Sequence, residues 1–208
     1  MKVLVLGATG GTGREIVQQL KALGHAPVAL VRSTVKSEEL GAAVIQGDAR
    51  DEAVLFEALA GCDAVISALG TPPSPFREVT LLSAASRALV AAMNRRGVKR
   101  LVCITGIGAG DSRGHGGFAF DRIILPLLLR KVYADKDRQE AIIAQTDLDW
   151  VLVRPAILND KPRRGNIRAL VNLDGFHGGT IARGDLAAFV VAQLASDTFV
   201  GKRPLITW

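Results

Sequence analysis

Cysteine is scarce in this chain: only Cys62 and Cys103 occur among 208 residues. Two cysteines are too few for a disulfide scaffold, and neither belongs to a CxxC pair or a cysteine–histidine cluster of the kind that binds metal. Cys103 lies in an apolar, strand-like run, where a buried small hydrophobe is the ordinary interpretation. The sequence therefore predicts no disulfide framework and no metal site.

Long apolar runs are also missing, because no segment reaches the roughly 18 uninterrupted apolar residues that a membrane-spanning helix needs. The nearest candidate, FAFDRIILPLLL over Phe118–Leu129, contains Asp121, Arg122 and Pro126. The first residues lead directly into a strand-like run without a signal-peptide pattern. We therefore expect a cytoplasmic protein without a membrane partner.

The chain also lacks a basic stripe interleaved with aromatic residues, the pattern that stacks on nucleic-acid bases. The formal net charge is +6, from 26 basic and 20 acidic residues, and aromatic residues make up only 5%. A basic surface of this kind can equally attract a phosphorylated small molecule. We interpret the densest basic segment, Lys161–Arg168, as a solvated loop and predict no nucleic-acid partner.

What the chain does contain is a regular alternation of short apolar runs with helical patterns. The strand-like runs are Val3–Leu6, Val28–Val31, Ala43–Gln46, Ala64–Ala68, Leu101–Thr105 and Trp150–Arg154. The helical stretches between them are Gly13–Leu23, Glu52–Leu59, Val79–Asn94 and Asp135–Gln145. Apolar strands separated by helices predict an α/β fold with a Rossmann-type, doubly wound parallel sheet covered on both faces.

The rhythm changes after Pro155 to a loop-rich region with one possible strand. A last helical pattern covers Arg183–Ser196, with Asp185 near its start, and Arg203–Trp208 indicates a closing strand. We predict one domain over residues 1–208, to which residues 155–208 contribute a small substrate-side lobe.

A glycine-rich loop, GATGGTG, joins the first predicted strand to the first predicted helix, a context that separates a dinucleotide site from a chance glycine cluster. Its tight turn needs a residue that tolerates positive φ, and a diphosphate must reach main-chain N–H groups without a Cβ in the way. The helix N-terminus then offers unpaired donors and its positive dipole end to the anion. The predicted cofactor-binding residues here are Gly7, Thr9, Gly10, Gly11, Thr12 and Gly13, with the threonines as added hydroxyl donors.

No acid stands where NAD-binding chains usually place one, roughly 20 residues beyond the glycines. The second predicted strand instead ends in Arg32, and the first acid after it is Glu38. A guanidinium suits a 2′-phosphate through paired, charge-assisted hydrogen bonds, which Ser33, Thr34 and Lys36 can support. The sequence therefore predicts NADP(H) rather than NAD(H), and it disfavours FAD or S-adenosylmethionine, which usually need an acceptor for the ribose hydroxyls.

Two further strand ends complete the predicted cofactor groove. Asp48 and Ala49 follow the third predicted strand, where an adenine can be bracketed, although a helix N-cap is an alternative interpretation for Asp48. Ala68, Leu69 and Gly70 end the fourth strand. We expect them to pass close to the nicotinamide-side ribose, because crevices form where strands end.

Six segments carry a family resemblance: GATGGTGREIV, VRS, GDARDEAVLFEALAGCDAVISALGT, GVKRLVCITG, LDWVLVRPAIL and IARGDLAAFVVAQL. Together they resemble the atypical short-chain dehydrogenase/reductases, in the branch of NAD(P)H-binding proteins related to biliverdin-IXβ reductase, also called flavin reductase. The resemblance implies NADPH-dependent hydride transfer to a planar small-molecule acceptor such as a flavin, quinone or tetrapyrrole. It places Thr105 and Lys136 near the nicotinamide, and Pro155, Ala156 and Ile157 along the nicotinamide pocket.

Two departures from the family pattern bear on the chemistry. The YxxxK acid/base pair of many short-chain dehydrogenases is replaced by YADK, in which Tyr133 stands three residues before Lys136. Gly106 stands where the flavin-reductase branch has a serine, although Thr105 is adjacent. Thr105 and Tyr133 are therefore the candidate catalytic residues. The lack of a clear acid/base pair favours hydride transfer to a flavin or quinone, in which the protein chiefly positions two flat rings.

Two other functions stay open at this point. One is a non-catalytic NADP(H)-sensing regulator, similar to the related regulators of nitrogen metabolism, which the missing acid/base pair motivates. The other is a sugar-nucleotide epimerase or dehydratase, which shares the fold but usually has YxxxK. His115 and His177 are alternative proton donors, and we expect a monomer or weak homodimer.

Overall fold

The computed structural model describes residues 1–34 and 38–208. The strands are β1 (Lys2–Leu6), β2 (Ala26–Val31), β3 (Ala43–Gln46), β4 (Ala64–Ser67), β5 (Arg100–Ile104), β6 (Asp149–Pro155), β7 (Ile157–Asn159), β8 (Arg168–Leu170), β9 (Thr180–Ala182) and β10 (Leu205–Thr207). The α-helices are α1 (Gly11–Ala22), α2 (Glu52–Ala58), α3 (Leu81–Arg96), α4 (Arg130–Ala144) and α5 (Arg183–Ala192). A π-helical segment, Phe120–Leu129, leads directly into α4.

Eight of these strands form one sheet in the order β3-β2-β1-β4-β5-β6-β10-β8, while β7 and β9 pair separately. The neighbours in the large sheet are parallel except for β8, which runs antiparallel to β10. The chain proceeds outward from β1 to β3 and then crosses back to β4, so the strand order reverses between β1 and β4. The predicted Rossmann-type, doubly wound α/β fold is confirmed.

Helices cover both faces of the sheet, which explains why its central strands are apolar at nearly every position. Because side chains alternate along a strand, Val3 and Val5 of β1 pack into one core cluster with α1 and α5. Leu4 and Leu6 point the other way, into a second cluster with α2 and α3. These two layers hold the carboxyl ends of β1 and β4 side by side.

The structure departs from the sequence prediction mainly between β5 and α4. The helix predicted over Asp135–Gln145 begins at Arg130, and the π-helical segment precedes it. Pro126 cannot donate a helical hydrogen bond, so the pattern gave no helical signal there. Phe120 and Leu125 nevertheless bury themselves against Tyr133, and this tertiary contact holds the segment in a helical form. The loop-rich C-terminal region contains three short strands, β7, β8 and β9, where one was predicted.

Within residues 1–34 and 38–208, no helix has both the length and the apolar character needed to cross a membrane.

Candidate functional site

A cavity of about 450 Å³ opens at the carboxyl ends of β1, β2, β3 and β4. It lies where the strand order reverses, the position at which open α/β sheets bind their ligands, and its volume is in the range of cofactor sites. The residues that line it are Gly7, Thr9, Gly10, Gly11, Thr12, Gly13, Leu30, Val31, Arg32, Gly47, Asp48, Ala49, Ala68, Leu69, Gly70, Thr71, Leu81, Leu158 and Arg183.

Most of the predicted cofactor residues meet at this cavity. The lining includes Gly7, Thr9, Gly10, Gly11, Thr12, Gly13, Arg32, Asp48, Ala49, Ala68, Leu69 and Gly70. The remaining predicted residues, which are Ser33, Thr105, Lys136, Pro155 and Ile157, are not among its lining. Leu158, the neighbour of Ile157, lines the cavity instead. Lys36, a predicted support for Arg32, lies outside the described residues.

Two glycines of the loop, Gly7 and Gly13, leave no room for a side chain. Gly7 has a φ of +78°, and a Cβ there would lie 2.5 Å from the carbonyl oxygen of Ala68. A Cβ on Gly13 would lie 2.1 Å from the carbonyl oxygen of Gly7, so the first turn of α1 packs directly on the loop. Gly10 is the N-cap of α1 and offers no capping side chain, and no acid occupies the first turn. The N–H groups at this helix end are therefore available to an anion.

Gly13→Ala is expected to lower the free energy of unfolding by about 1–3 kcal/mol and to weaken cofactor binding, since the methyl group must push α1 away from the loop. Thermal unfolding and NADPH titration measure the two effects. Gly70→Ala is the matched control for stability, because nothing lies within 4 Å of a Cβ at Gly70. Equal melting temperatures for wild type and Gly13→Ala would contradict this close packing.

A cation, Arg32, lines the cavity at the end of β2. Arg32 is exposed there, and no carboxylate within residues 1–34 and 39–208 forms an ion pair with it. Asp48 accepts hydrogen bonds from Arg50, and these bonds, with a smaller contribution from the charge of Arg32, lower the pKa of its carboxyl to about 2. The N-cap of α2 is Asp51, whose side chain accepts from the backbone N–H of Ala53 at 2.9 Å, so the capping role falls to Asp51. Asp48 is left facing the cavity.

The YADK pair converges at the end of β5 despite its altered spacing. A Cβ placed on Gly106 would lie 2.9 Å from Lys136 Nζ and 3.2 Å from Tyr133 Oη. Lys136 Nζ donates a hydrogen bond to the carbonyl oxygen of Thr105. Burial lowers the pKa of the Lys136 ammonium to about 8, and burial likewise raises the pKa of the Tyr133 phenol. Tyr133 therefore keeps its proton at neutral pH.

The hydroxyl of Thr105 is directed into the interior. Its Oγ1 donates to Glu140 Oε1 at 2.7 Å. Glu140 also accepts from Arg154 Nε at 3.0 Å and from Arg154 Nη2 at 2.6 Å, and Arg154 is only 1% exposed. Arg154 Nη1 donates in addition to Asp111 in the loop that follows β5. The buried ion pair thus fixes both Thr105 and that loop, while the catalytic roles of Thr105 and Tyr133 stay predictions.

Arg183 is a cavity residue that sequence reasoning missed. Its Cδ and Nε lie 3.1 Å from the position a Cβ would take on Gly11, so the side chain passes over the N-terminal end of α1. Asp160 accepts a hydrogen bond from Arg183 Nη1. The sequence offered one weak indication of this role. Arg183 is the first residue of α5, a position where an acidic residue would interact better with the helix dipole. The fold brings this second cation beside the glycine loop.

The two candidate histidines lie together, away from the main cavity. The rings of His115 and His177 stack with their centroids 5.6 Å apart. His115 Nδ1 lies 2.8 Å from the carbonyl oxygen of Phe176. His177 lines a second cavity of about 380 Å³ in the C-terminal region, and neither histidine lines the first.

Comparison with known proteins bears on this cavity directly. A family model described as NAD(P)H-binding matches residues 7–197, which confirms the predicted nicotinamide dinucleotide as the cofactor. The chain is 30% identical over 207 residues to the uncharacterized sugar epimerase YhfK of Bacillus subtilis, covering 93% of this chain and 88% of that protein. It is 36% identical over 156 residues to an NAD(P)H azoreductase of Xenophilus azovorans, covering 74% of this chain and 47% of that protein. The solved structure of ChuY, an anaerobilin reductase from Escherichia coli O157:H7, has the same fold, with a TM-score of 0.83 at 22% identity over 100% of this chain and 97% of that one.

Proposed function

The chain belongs to the NAD(P)H-binding family, as its motifs predict, and from that premise we propose that it is an NADPH-dependent oxidoreductase of flavin-reductase type. It transfers hydride to a planar acceptor such as a flavin, quinone or tetrapyrrole. The observation that carries the proposal is one cleft that is lined both by the bare-backbone cradle at Gly7–Gly13 and by the exposed guanidinium of Arg32. The cytoplasm is the proposed compartment.

Cofactor binding is assigned to groups on this chain. The N–H groups at the start of α1 hold the diphosphate, and Arg32 binds the 2′-phosphate. Ala68, Leu69 and Gly70 line the same cavity and would border the ribose on the nicotinamide side. When bound, NADPH supplies the hydride from its nicotinamide ring. The chain's contribution is to hold donor and acceptor rings in contact and to exclude water.

Reduction of a conjugated planar acceptor suits the groups near β5 better than alcohol oxidation does. Alcohol oxidation needs a base that accepts the hydroxyl proton, and burial keeps the Tyr133 phenol protonated. The Thr105 hydroxyl already donates to Glu140. Lys136, half-buried beside both residues, is the proposed ligand of the nicotinamide-side ribose. The names of two relatives, an azoreductase and an anaerobilin reductase, support a reductase with a planar acceptor.

The direct test mixes the protein with NADPH and, in separate reactions, FMN, several quinones and biliverdin, and follows the loss of the nicotinamide absorbance. We expect protein-dependent oxidation of NADPH with at least one of these acceptors. Absence of turnover with all of them would remove the enzymatic proposal.

Arg183→Gln is expected to weaken NADPH binding about tenfold, because Arg183 crosses the helix end that holds the diphosphate and hydrogen bonds to charged groups contribute about 1.5–3 kcal/mol. We take the lower limit because the side chain is partly exposed. Lys99→Gln is the matched loss of charge at the opposite edge of the sheet, just before β5. Unchanged affinity in Arg183→Gln would exclude Arg183 from the site.

A cofactor-sensing regulator is the second candidate, favoured by the commitment of Thr105 to Glu140 and by the raised pKa of Tyr133. Tight binding of NADP⁺ and NADPH without turnover, together with a protein partner released when the cofactor changes state, would support this role. A sugar-nucleotide epimerase has less support, since a phenol with a raised pKa is a poor base for a sugar hydroxyl, although one relative carries that name.

A further inference from the structure

The π-helical segment and Phe118, two residues before it, carry a concentrated group of exposed apolar side chains. Eleven large hydrophobic residues are notably exposed in the described part of the chain, and five of them fall within residues 118–128. We call these five the apolar face: Phe118, Ile123, Ile124, Leu127 and Leu128, with exposures from 38% to 81%. Scattered exposed hydrophobes need no explanation, but a contiguous group marks an interaction surface.

The apolar face is distinct from the side of the segment that the fold uses. Phe120 and Leu125 are buried and pack in one cluster with Ile107 and Tyr133. A π-helix closes its hydrogen bonds from i to i+5, so residues four and five apart, such as Ile123 with Leu127 and Leu128, share a side. The folded chain thus buries one side of the segment in its core and leaves the other side exposed to water.

Three basic residues lie close in sequence to the apolar face. Arg122, Arg130 and Lys131 belong to the segment or to the first turn of α4. No carboxylate within residues 1–34 and 39–208 forms an ion pair with any of the three. Asp121, the one acid of the segment, has its Oδ1 buried. With three cations and one half-buried acid, the net charge next to the apolar face is therefore positive.

We propose that the apolar face docks on an anionic lipid surface, with the segment lying flat in the interface. A short helix with an apolar side rimmed by Lys and Arg binds in this way through buried apolar area and attraction to lipid headgroups. If two copies paired through this face about a two-fold axis, Arg122, Arg130 and Lys131 of one copy would instead lie close to the same cations of the other copy. The repulsion between these like charges disfavours such a dimer. The sequence predicted no membrane partner, but that expectation rested on the length needed to span a bilayer, which an interfacial segment does not need.

The position of the face has a consequence that rests on the proposed function. The buried side of the segment packs on the turn after β5, where a Cβ on Gly108 would lie 2.9 Å from Leu125 Cδ1. This turn is at the same edge of the sheet as the cofactor cavity. Docking therefore brings the nicotinamide end of the cleft to the lipid, where a quinone with an apolar tail dissolves.

The test is co-sedimentation of the full chain with vesicles of phosphatidylcholine and phosphatidylglycerol, compared with pure phosphatidylcholine vesicles. We expect partition into the anionic vesicles that falls with added salt. Leu127→Asp is expected to reduce the partition at least tenfold. The double variant Arg122→Gln/Arg130→Gln is expected to reduce it about 25-fold, at roughly fivefold for each cation.

Matched controls carry the same chemical changes elsewhere on the surface. Val171→Asp alters an apolar side chain of 51% exposure in the C-terminal region. Lys99→Gln removes a positive charge just before β5. Both control variants are expected to partition into the vesicles like wild type. The assay contains no cofactor, so its result is independent of whether the protein oxidises NADPH.

Three outcomes would overturn the docking proposal. One is no partition into anionic vesicles, and another is partition that Leu127→Asp leaves unchanged. The third is a dimer by light scattering that Leu127→Asp converts to a monomer, without lipid binding by wild type, which would assign the face to a second copy of the chain.

Discussion

Arg32→Asp is expected to remove the preference for NADPH, changing the ratio of the dissociation constants for NADPH and NADH by about a hundredfold. The substitution removes a charge-assisted contact to the 2′-phosphate and puts a negative charge in its place. Asp48, which already faces the cavity, would add a second negative charge beside it. A combined loss of about 3 kcal/mol corresponds to this hundredfold change.

The measurement is a titration of each variant with NADPH and with NADH at fixed ionic strength. Lys99→Asp makes the same charge change at the opposite edge of the sheet, so it controls for the long-range effect of net charge. We expect NADH affinity to change little in either variant. Equal weakening of both cofactors by Arg32→Asp would show that Arg32 does not recognise the 2′-phosphate.

Arg154→Met is expected to lower the free energy of unfolding by about 3–5 kcal/mol, a large part of the 5–15 kcal/mol typical of a folded domain. The reason is the carboxylate left behind. Glu140 is 3% exposed, and its partners at Arg154 Nε and Nη2 would vanish together. Asp111 and the loop after β5 would lose their anchor in the same step.

Urea unfolding of Arg154→Met and Arg113→Met separates a buried ion pair from an exposed one. Arg113 pairs with Asp137 at 2.7 Å, but 56% of its side chain is exposed, so its loss should cost at most about 1 kcal/mol. The double variant Arg154→Met/Glu140→Leu should recover much of the lost stability, because neither charge of the Arg154–Glu140 pair is left buried without the other. Similar losses in the two single variants would contradict the role given to burial.

The cofactor end of the site followed from local sequence rules, and this explains why it was predictable. Within one strand–turn–helix unit, Gly7 is dictated by its φ of +78° and Gly13 by its contact with the carbonyl of Gly7, while Arg32 is dictated by its position at the end of one strand. Arg183 and Leu158 line the same cavity but come from β9–α5 and β7, far along the chain. Their arrival depends on how the C-terminal region packs, which no local pattern encodes.

The substrate end of the site was harder to predict from the sequence, because its side chains are positioned by contacts between distant elements. The position of Thr105 at the end of β5 was predicted, but the direction of its hydroxyl depends on Glu140 and Arg154, which come from α4 and β6. The convergence of Tyr133 and Lys136 near Gly106 survives the altered YxxK spacing because a glycine leaves room for both groups. The helical form of Phe120–Leu129 likewise reflects burial against α4 rather than a sequence period.

The central claim is that the amide groups of the glycine loop and the guanidinium of Arg32 together bind NADPH. Isothermal calorimetry of the wild-type chain with NADPH and NADH tests it most directly. We predict saturable heat with one NADPH per chain and at least tenfold weaker binding of NADH. No heat with either nucleotide, at concentrations that saturate ordinary nicotinamide enzymes, would contradict the account.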